Sequence, residues 1–133
     1  MLAEFDVGEE CVESLDFSDG FGLAACGCGG DDGLVVIFDL SPIQKRVQVA
    51  LPNAGVVKIQ FSAVDFRLFA ACLDGCVYEL EARSGEILRI LKGHSQPILD
   101  FTISLDNKYL ITCGDDKLSL IFNLHPKNPQ LKD

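Results

Sequence analysis

The sequence predicts an all-β protein built from three copies of one sheet unit, and three observations carry that expectation. Turn aspartates recur at Asp32, Asp74 and Asp116, 42 residues apart each time. Six positions after each comes a bulky apolar residue and then a polar one: Phe38-Asp39, Leu80-Glu81 and Phe122-Asn123. Between these landmarks run short apolar stretches punctuated by glycine and aspartate, and no segment has helical periodicity. A fixed period of this size marks a repeat architecture with one sheet per repeat.

The elements follow in order. The repeats span about 10–51, 52–92 and 93–124, with a tail over 125–133. In the first, GLAACGCGGDDGLVVIFDL from Gly22 to Leu40 holds two apolar runs around the aspartate turn, and Val47, Val49 and Leu51 mark an outer strand. In the second, Val57, Ile59 and Phe61 alternate with Val56, Lys58 and Gln60, the period of two of a half-buried strand. A buried strand over 68–72 leads into Asp74-Gly75, two residues that tolerate positive φ in a tight turn. A third strand over 76–80, a turn at Arg83-Ser84-Gly85 and an outer strand over 87–91 complete that unit. The third unit has strands at about 98–103, 109–113 and 118–122. The first strands are aligned on Phe17, Phe61 and Phe101. After Leu124, Pro126 and Pro129 break any ladder, so the third unit lacks its outer strand within the chain.

Composition narrows the function. With 133 residues, 48% of them hydrophobic, the chain can bury a core and is not a disordered segment. The net charge is −9. Residues 1–51 hold 10 acidic and 2 basic side chains, and residues 52–133 hold 10 and 9. Such a surface repels phosphate backbones, so direct nucleic-acid binding is disfavoured, and it attracts a basic protein segment. The acidic opening, Met1 to Glu10, has no secretory-leader character, and no stretch approaches the length of a membrane span. Six cysteines without a leader predict free thiols and a cytoplasmic or nuclear protein.

The stretch from Lys92 to Leu124, KGHSQPILDFTISLDNKYLITCGDDKLSLIFNL, resembles a WD repeat from its Gly-His to its Trp-Asp position. The resemblance implies three consecutive four-stranded antiparallel blades of a WD-repeat β-propeller, the C-terminal part of a seven-bladed ring with a truncated N-terminus. It also implies a blade-fastening set at His94, Thr112, Asp116 and Phe122. Phe122 stands where the family has tryptophan and donates no hydrogen bond, so the set stops at Thr112. The second unit has Ala54, Ala70, Asp74 and Leu80 at those positions, and the first has Glu10, Cys28, Asp32 and Phe38. The order VESLDF, LDG, EARSG, GHSQPILDF and SLDNKYLITCGD further resembles the WD-repeat group of angio-associated migratory cell protein and a fungal ribosomal-protein chaperone. That group implies a non-catalytic cytoplasmic scaffold, with the fungal members holding a basic peptide on an acidic propeller face.

Catalytic and metal readings fare less well. The only histidines are His94, with a place in the repeat, and His125, in the polar tail. The glycine-rich GCGGDDG from Gly27 to Gly33 has no lysine and no following helix, so it is no phosphate loop. Cys26-x-Cys28 and Cys72-x3-Cys76 keep a metal or redox protein as the alternative function. However, Cys26, Cys72 and Cys113 fall where small apolar residues pack, and no pair of compact C-x2–4-C motifs is present. No cofactor is expected. The loops at one end of the blades carry Glu9, Glu10, Asp31, Asn53, Ser95, Gln96 and Asp115, the predicted partner-binding face. The chain is expected to need further blades, or another chain, to close a ring.

Overall fold

The computed structural model of the chain describes residues 1–124. The tail over 125–133, with His125 and both prolines, lies outside the described residues. Eleven strands form: β1 (Val12–Ser18), β2 (Leu23–Cys28), β3 (Gly33–Leu40), β4 (Ile43–Leu51), β5 (Val56–Phe61), β6 (Arg67–Cys72), β7 (Cys76–Glu81), β8 (Ile87–Lys92), β9 (Ile98–Ile103), β10 (Tyr109–Gly114) and β11 (Ser119–Asn123). They pair in chain order into three antiparallel sheets, β1 to β4, β5 to β8 and β9 to β11. The third sheet therefore has three strands among the described residues. No helix long and apolar enough to cross a membrane occurs there.

Two apolar layers join the sheets. Leu23, Ala25, Val35 and Ile37 on the back of the first blade meet Val56, Ile59, Phe61 and Leu80 on the front of the second. Phe69, Ala71 and Val77 on the back of the second meet Ile98, Phe101, Leu110 and Phe122 on the front of the third. Each fully buried side chain of this size contributes about 1.5–3 kcal/mol. The inner strands are stitched as well. Ile59 N donates to Ser14 Oγ at 3.0 Å and Phe61 N to Asp16 Oδ2 at 2.8 Å. Lys58 Nζ donates to Asp100 Oδ1 at 2.6 Å and to Phe101 O at 2.8 Å.

Three sequence expectations need correction. A bulge between Val56 and Lys58 shifts the phase of β5, so Val56, not Val57, joins Ile59 and Phe61 in the core. β9 covers 98–103 as expected, so it does not end in its phenylalanine, Phe101. Phe101 pairs with Thr112 and Ile59 with Ala70, which makes Ile59 its counterpart, not Phe61. Finally, the first hairpin is two residues longer than the others. Across the inner ladder, Val12, Val56 and Ile98 face Cys28, Cys72 and Gly114. From there the first hairpin turns through residues 29–33 to Leu34. The other two turn through 73–75 and 115–117. The first-blade counterpart of Thr112 is consequently Cys26, not Cys28.

Candidate protein-binding face

The longer first hairpin positions the acidic cleft. Residues 29–33 rise beside residues 8–10 at the end of the blades where strands 2 and 3 turn. Gly30 has φ +90° and no Cβ; a Cβ there would lie 2.6 Å from the Glu10 carboxyl carbon. The positive φ favours glycine in this turn, and the Glu10 side chain packs over the space left by the missing Cβ. The result is a cleft of about 390 Å3 lined by Gly8, Glu9, Glu10, Cys28, Asp31, Asp32, Gly33, Leu34 and Ala50. Glu9, Glu10, Asp31 and Asp32 are all exposed, and no basic residue is among the lining groups. Four carboxylates around a partly apolar floor suit a cation on an aliphatic stem.

Of the sequence-predicted face, the cleft gathers Glu9, Glu10 and Asp31. Asn53 adjoins it, donating its backbone N–H to Asp32 Oδ1 at 2.9 Å. Ser95, Gln96 and Asp115 are exposed on the loops of the third blade and do not line the cleft; Asp115 N donates to Pro97 O at 3.0 Å. Asp32, which the sequence places on the same loops and also in the turn, lines the cleft too, while nothing local in the sequence marks Leu34 and Ala50 as lining groups.

The third blade carries a buried relay. His94 Nδ1 lies 2.9 Å from Asp116 Oδ1, and Nε2 lies 2.6 Å from Thr112 Oγ1. An ionised carboxylate only accepts, so Nδ1 donates; in the neutral ring Nε2 then accepts from the Thr112 hydroxyl. Ser95 N and Leu118 N also donate to Asp116. The relay has the groups of a nucleophilic triad, yet Thr112 is 1% exposed, so no substrate reaches its hydroxyl. Phe122 packs in the adjoining apolar layer. The other blades differ. Asp74 accepts from Cys76 N at 3.1 Å and from the Tyr78 hydroxyl at 2.6 Å, while Ala54, Ala70 and Leu80 are buried. Asp32 reaches forward to Asn53, and Phe38 meets Phe5 with ring centroids 5.0 Å apart.

Burial opposes ionisation of Asp116, but hydrogen bonds from His94, Ser95 N and Leu118 N outweigh it and hold its pKa below 3.8. A carboxylate with a depressed folded-state pKa stabilises the fold above its unfolded pKa, and that stability is lost as pH falls through the folded value. Acid titration followed by circular dichroism should therefore show a destabilising limb below about pH 4. Asp116→Asn should flatten that limb while leaving the profile above pH 6 parallel to the parent's.

Four of the thiols are held in the protonated form, which suits neither redox nor metal chemistry. Burial, with Cys28 beside it, pushes Cys26 up to about 11. Burial also raises Cys28, Cys72 and Cys76. All six cysteines are free, and among the described residues no three of His, Cys, Asp and Glu cluster to hold a metal ion. Cys113, expected to pack like a small apolar residue, is exposed, because no described element covers the back of the third blade.

Stacked antiparallel blades in a regular repeat, one of them fastened by a His–Thr–Asp relay, are the architecture of consecutive blades of a WD-repeat β-propeller. A model of the family "WD domain, G-beta repeat" matches residues 85–123. The chain is 31% identical over 131 residues to the ribosome assembly protein SQT1 of Saccharomyces cerevisiae, covering 91% of this chain and 29% of that protein. It is 35% identical over 111 residues to the angio-associated migratory cell protein of Canis lupus familiaris, covering 84% and 25%. The crystal structure of Chaetomium thermophilum Sqt1 bound to the N-terminus of the ribosomal protein L10 superposes with a TM-score of 0.83 at 25% identity, covering 92% of this chain and 34% of that one. The chain thus spans less than a third of these two curated relatives' length.

Proposed function

We propose that this WD-repeat protein is a non-catalytic scaffold whose acidic cleft receives a Lys/Arg-rich segment of a protein partner. The observation that carries the reading is the cleft itself: Glu9, Glu10, Asp31 and Asp32 surround one opening that no basic side chain lines. Two or three cations seated there replace repulsion among the carboxylates with charge-assisted hydrogen bonds. Leu34 and Ala50 meet the aliphatic stems. Likeness to a ribosome assembly protein, and to a relative bound to a ribosomal protein's N-terminus, supports a basic peptide as occupant and ribosomal-protein chaperoning as the role. On this reading the protein works in the cytoplasm or nucleus, and Ser95, Gln96 and Asp115 extend the contact along the third blade.

Binding of an Arg/Lys-rich peptide, followed by fluorescence anisotropy, should weaken steeply with added salt. Changing Glu9, Glu10 and Asp31 together to lysine should weaken it about a hundredfold, since three exposed charges each reverse sign. Unchanged affinity in that variant would refute the cleft as the site.

A further inference from the structure

The hairpins between the second and third strands of each blade carry Asp31, Leu73 and Asp115 at one repeat position, each directly before the turn aspartate. Tight turns favour glycine, asparagine, aspartate and serine, which accept positive φ or bond their own backbone. Leucine does neither, and Leu73, 44% exposed, leaves apolar surface in water. The second blade meets the first on its front and the third on its back. Leu73 is exposed at the end of this middle blade although both neighbours are in place.

The tip is also held in place. Leu73 N donates to Gly55 O at 2.8 Å, and Gly75 N to Cys72 O at 3.2 Å. A Cβ on Gly55 would collide with both Gly30 O and Leu73 Cδ1, so Leu73 borders the turn that carries Asp31 and Asp32. On the other side, a Cβ on Gly75 would collide with His94 O, so the tip abuts the loop that carries Ser95 and Gln96. Asp115 N donates to Pro97 O in that same loop. Carboxylate, leucine and carboxylate thus follow one another across one continuous surface that starts at the acidic cleft. We propose, resting on the cleft as a basic-segment site, that the bound segment is basic–apolar–basic: cations at Asp31 and Asp115 flank an aliphatic or aromatic side chain that packs on Leu73. A cation over Leu73 would lose water without gaining an anion, whereas an apolar side chain removes both surfaces from water. Because the tip is already ordered, little freedom is lost there on binding.

Three peptides of equal length and charge, followed by fluorescence anisotropy with the 133-residue chain, test this. One has a leucine between two Arg/Lys pairs, one has serine there, and one has the leucine moved to its end. The first should bind about tenfold more tightly than the other two, as burial of about half a leucine side chain predicts. Leu73→Ser should abolish that preference and leave the serine peptide's affinity unchanged, which also shows that the variant is folded. Leu73→Asp copies the third blade's turn, and it should favour a fourth peptide with lysine in the middle. Equal, salt-sensitive affinities of the three peptides for the parent would overturn the apolar position and leave the acidic cleft standing. A preference that survives Leu73→Ser, or a loss shared equally by all three peptides, would overturn it as well. Absence of binding by all three would overturn both the apolar position and the cleft.

Discussion

Replacing Glu79 by alanine should cost about 3–5 kcal/mol, because it removes the buried carboxylate that Arg67 and Arg89 share. Glu79 sits on the back of the second blade with its side chain 3% exposed. Its Oε2 accepts from Arg67 Nη1 at 2.6 Å and its Oε1 from Arg89 Nε at 2.8 Å. Asp65 holds the other edge of Arg67 through Nε at 3.0 Å. At roughly 4 °C per kcal/mol for a domain of this size, the thermal midpoint should fall by about 12–20 °C. Glu79→Gln keeps the shape and removes only the charge, so it should fall most of the way too. Replacing Arg67, Glu79 and Arg89 together with Met and Leu should recover most of the loss, since an apolar set of similar volume removes the desolvation cost along with the attraction. A triple variant as unstable as Glu79→Ala would show that the ionic hydrogen bonds, not the filled volume, are what the set supplies.

The second large effect is expected at Phe69→Ala, also about 3–5 kcal/mol. Phe69 is fully buried, pairs directly with Glu79 across the ladder, and forms the centre of the layer against the third blade. Its ring also lies 5.8 Å beneath the Arg67 guanidinium. Truncation leaves a cavity between two packed sheets, which adds a cavity term to the lost burial. Phe69→Leu should cost less than about 1.5 kcal/mol, because most of the volume stays. Chemical denaturation of the three proteins checks this order. The losses at Phe69 and Glu79 should not add, because both loosen Arg67.

Both effects lie on a face that periodicity cannot disclose. Spacing of 42 residues located Phe38, Leu80 and Phe122 on the fronts of their blades, because β3, β7 and β11 keep that register. Strand order was equally legible from apolar runs and turn residues. Where the register slips, the reading failed for a physical reason. The bulge at Val57 adds one residue to one strand only, which a period of two cannot anticipate. The two added residues in the first hairpin preserve the spacing of β3 while displacing β2, so Cys28 looked like the counterpart of Thr112. Those same residues build the acidic cleft, and its charge was readable even though its walls were not. Nothing in the sequence marks Glu79, because a glutamate in an alternating strand is ordinarily solvated. Its burial depends on Arg67 and Arg89, which only the fold brings to it.

In the proposed function a basic segment binds at the cleft between residues 8–10 and 29–34. Backbone amide shifts of the isotopically labelled chain, titrated with an Arg/Lys-rich peptide at low salt and again at high salt, test it most directly. The largest shifts are expected at Glu9, Glu10, Gly30, Asp31, Asp32 and Leu34, with smaller ones at Asn53, and they should collapse at high salt. Shifts confined to the exposed back of the third blade, around Ile111 and Ile121, or shifts that persist at high salt, would contradict it.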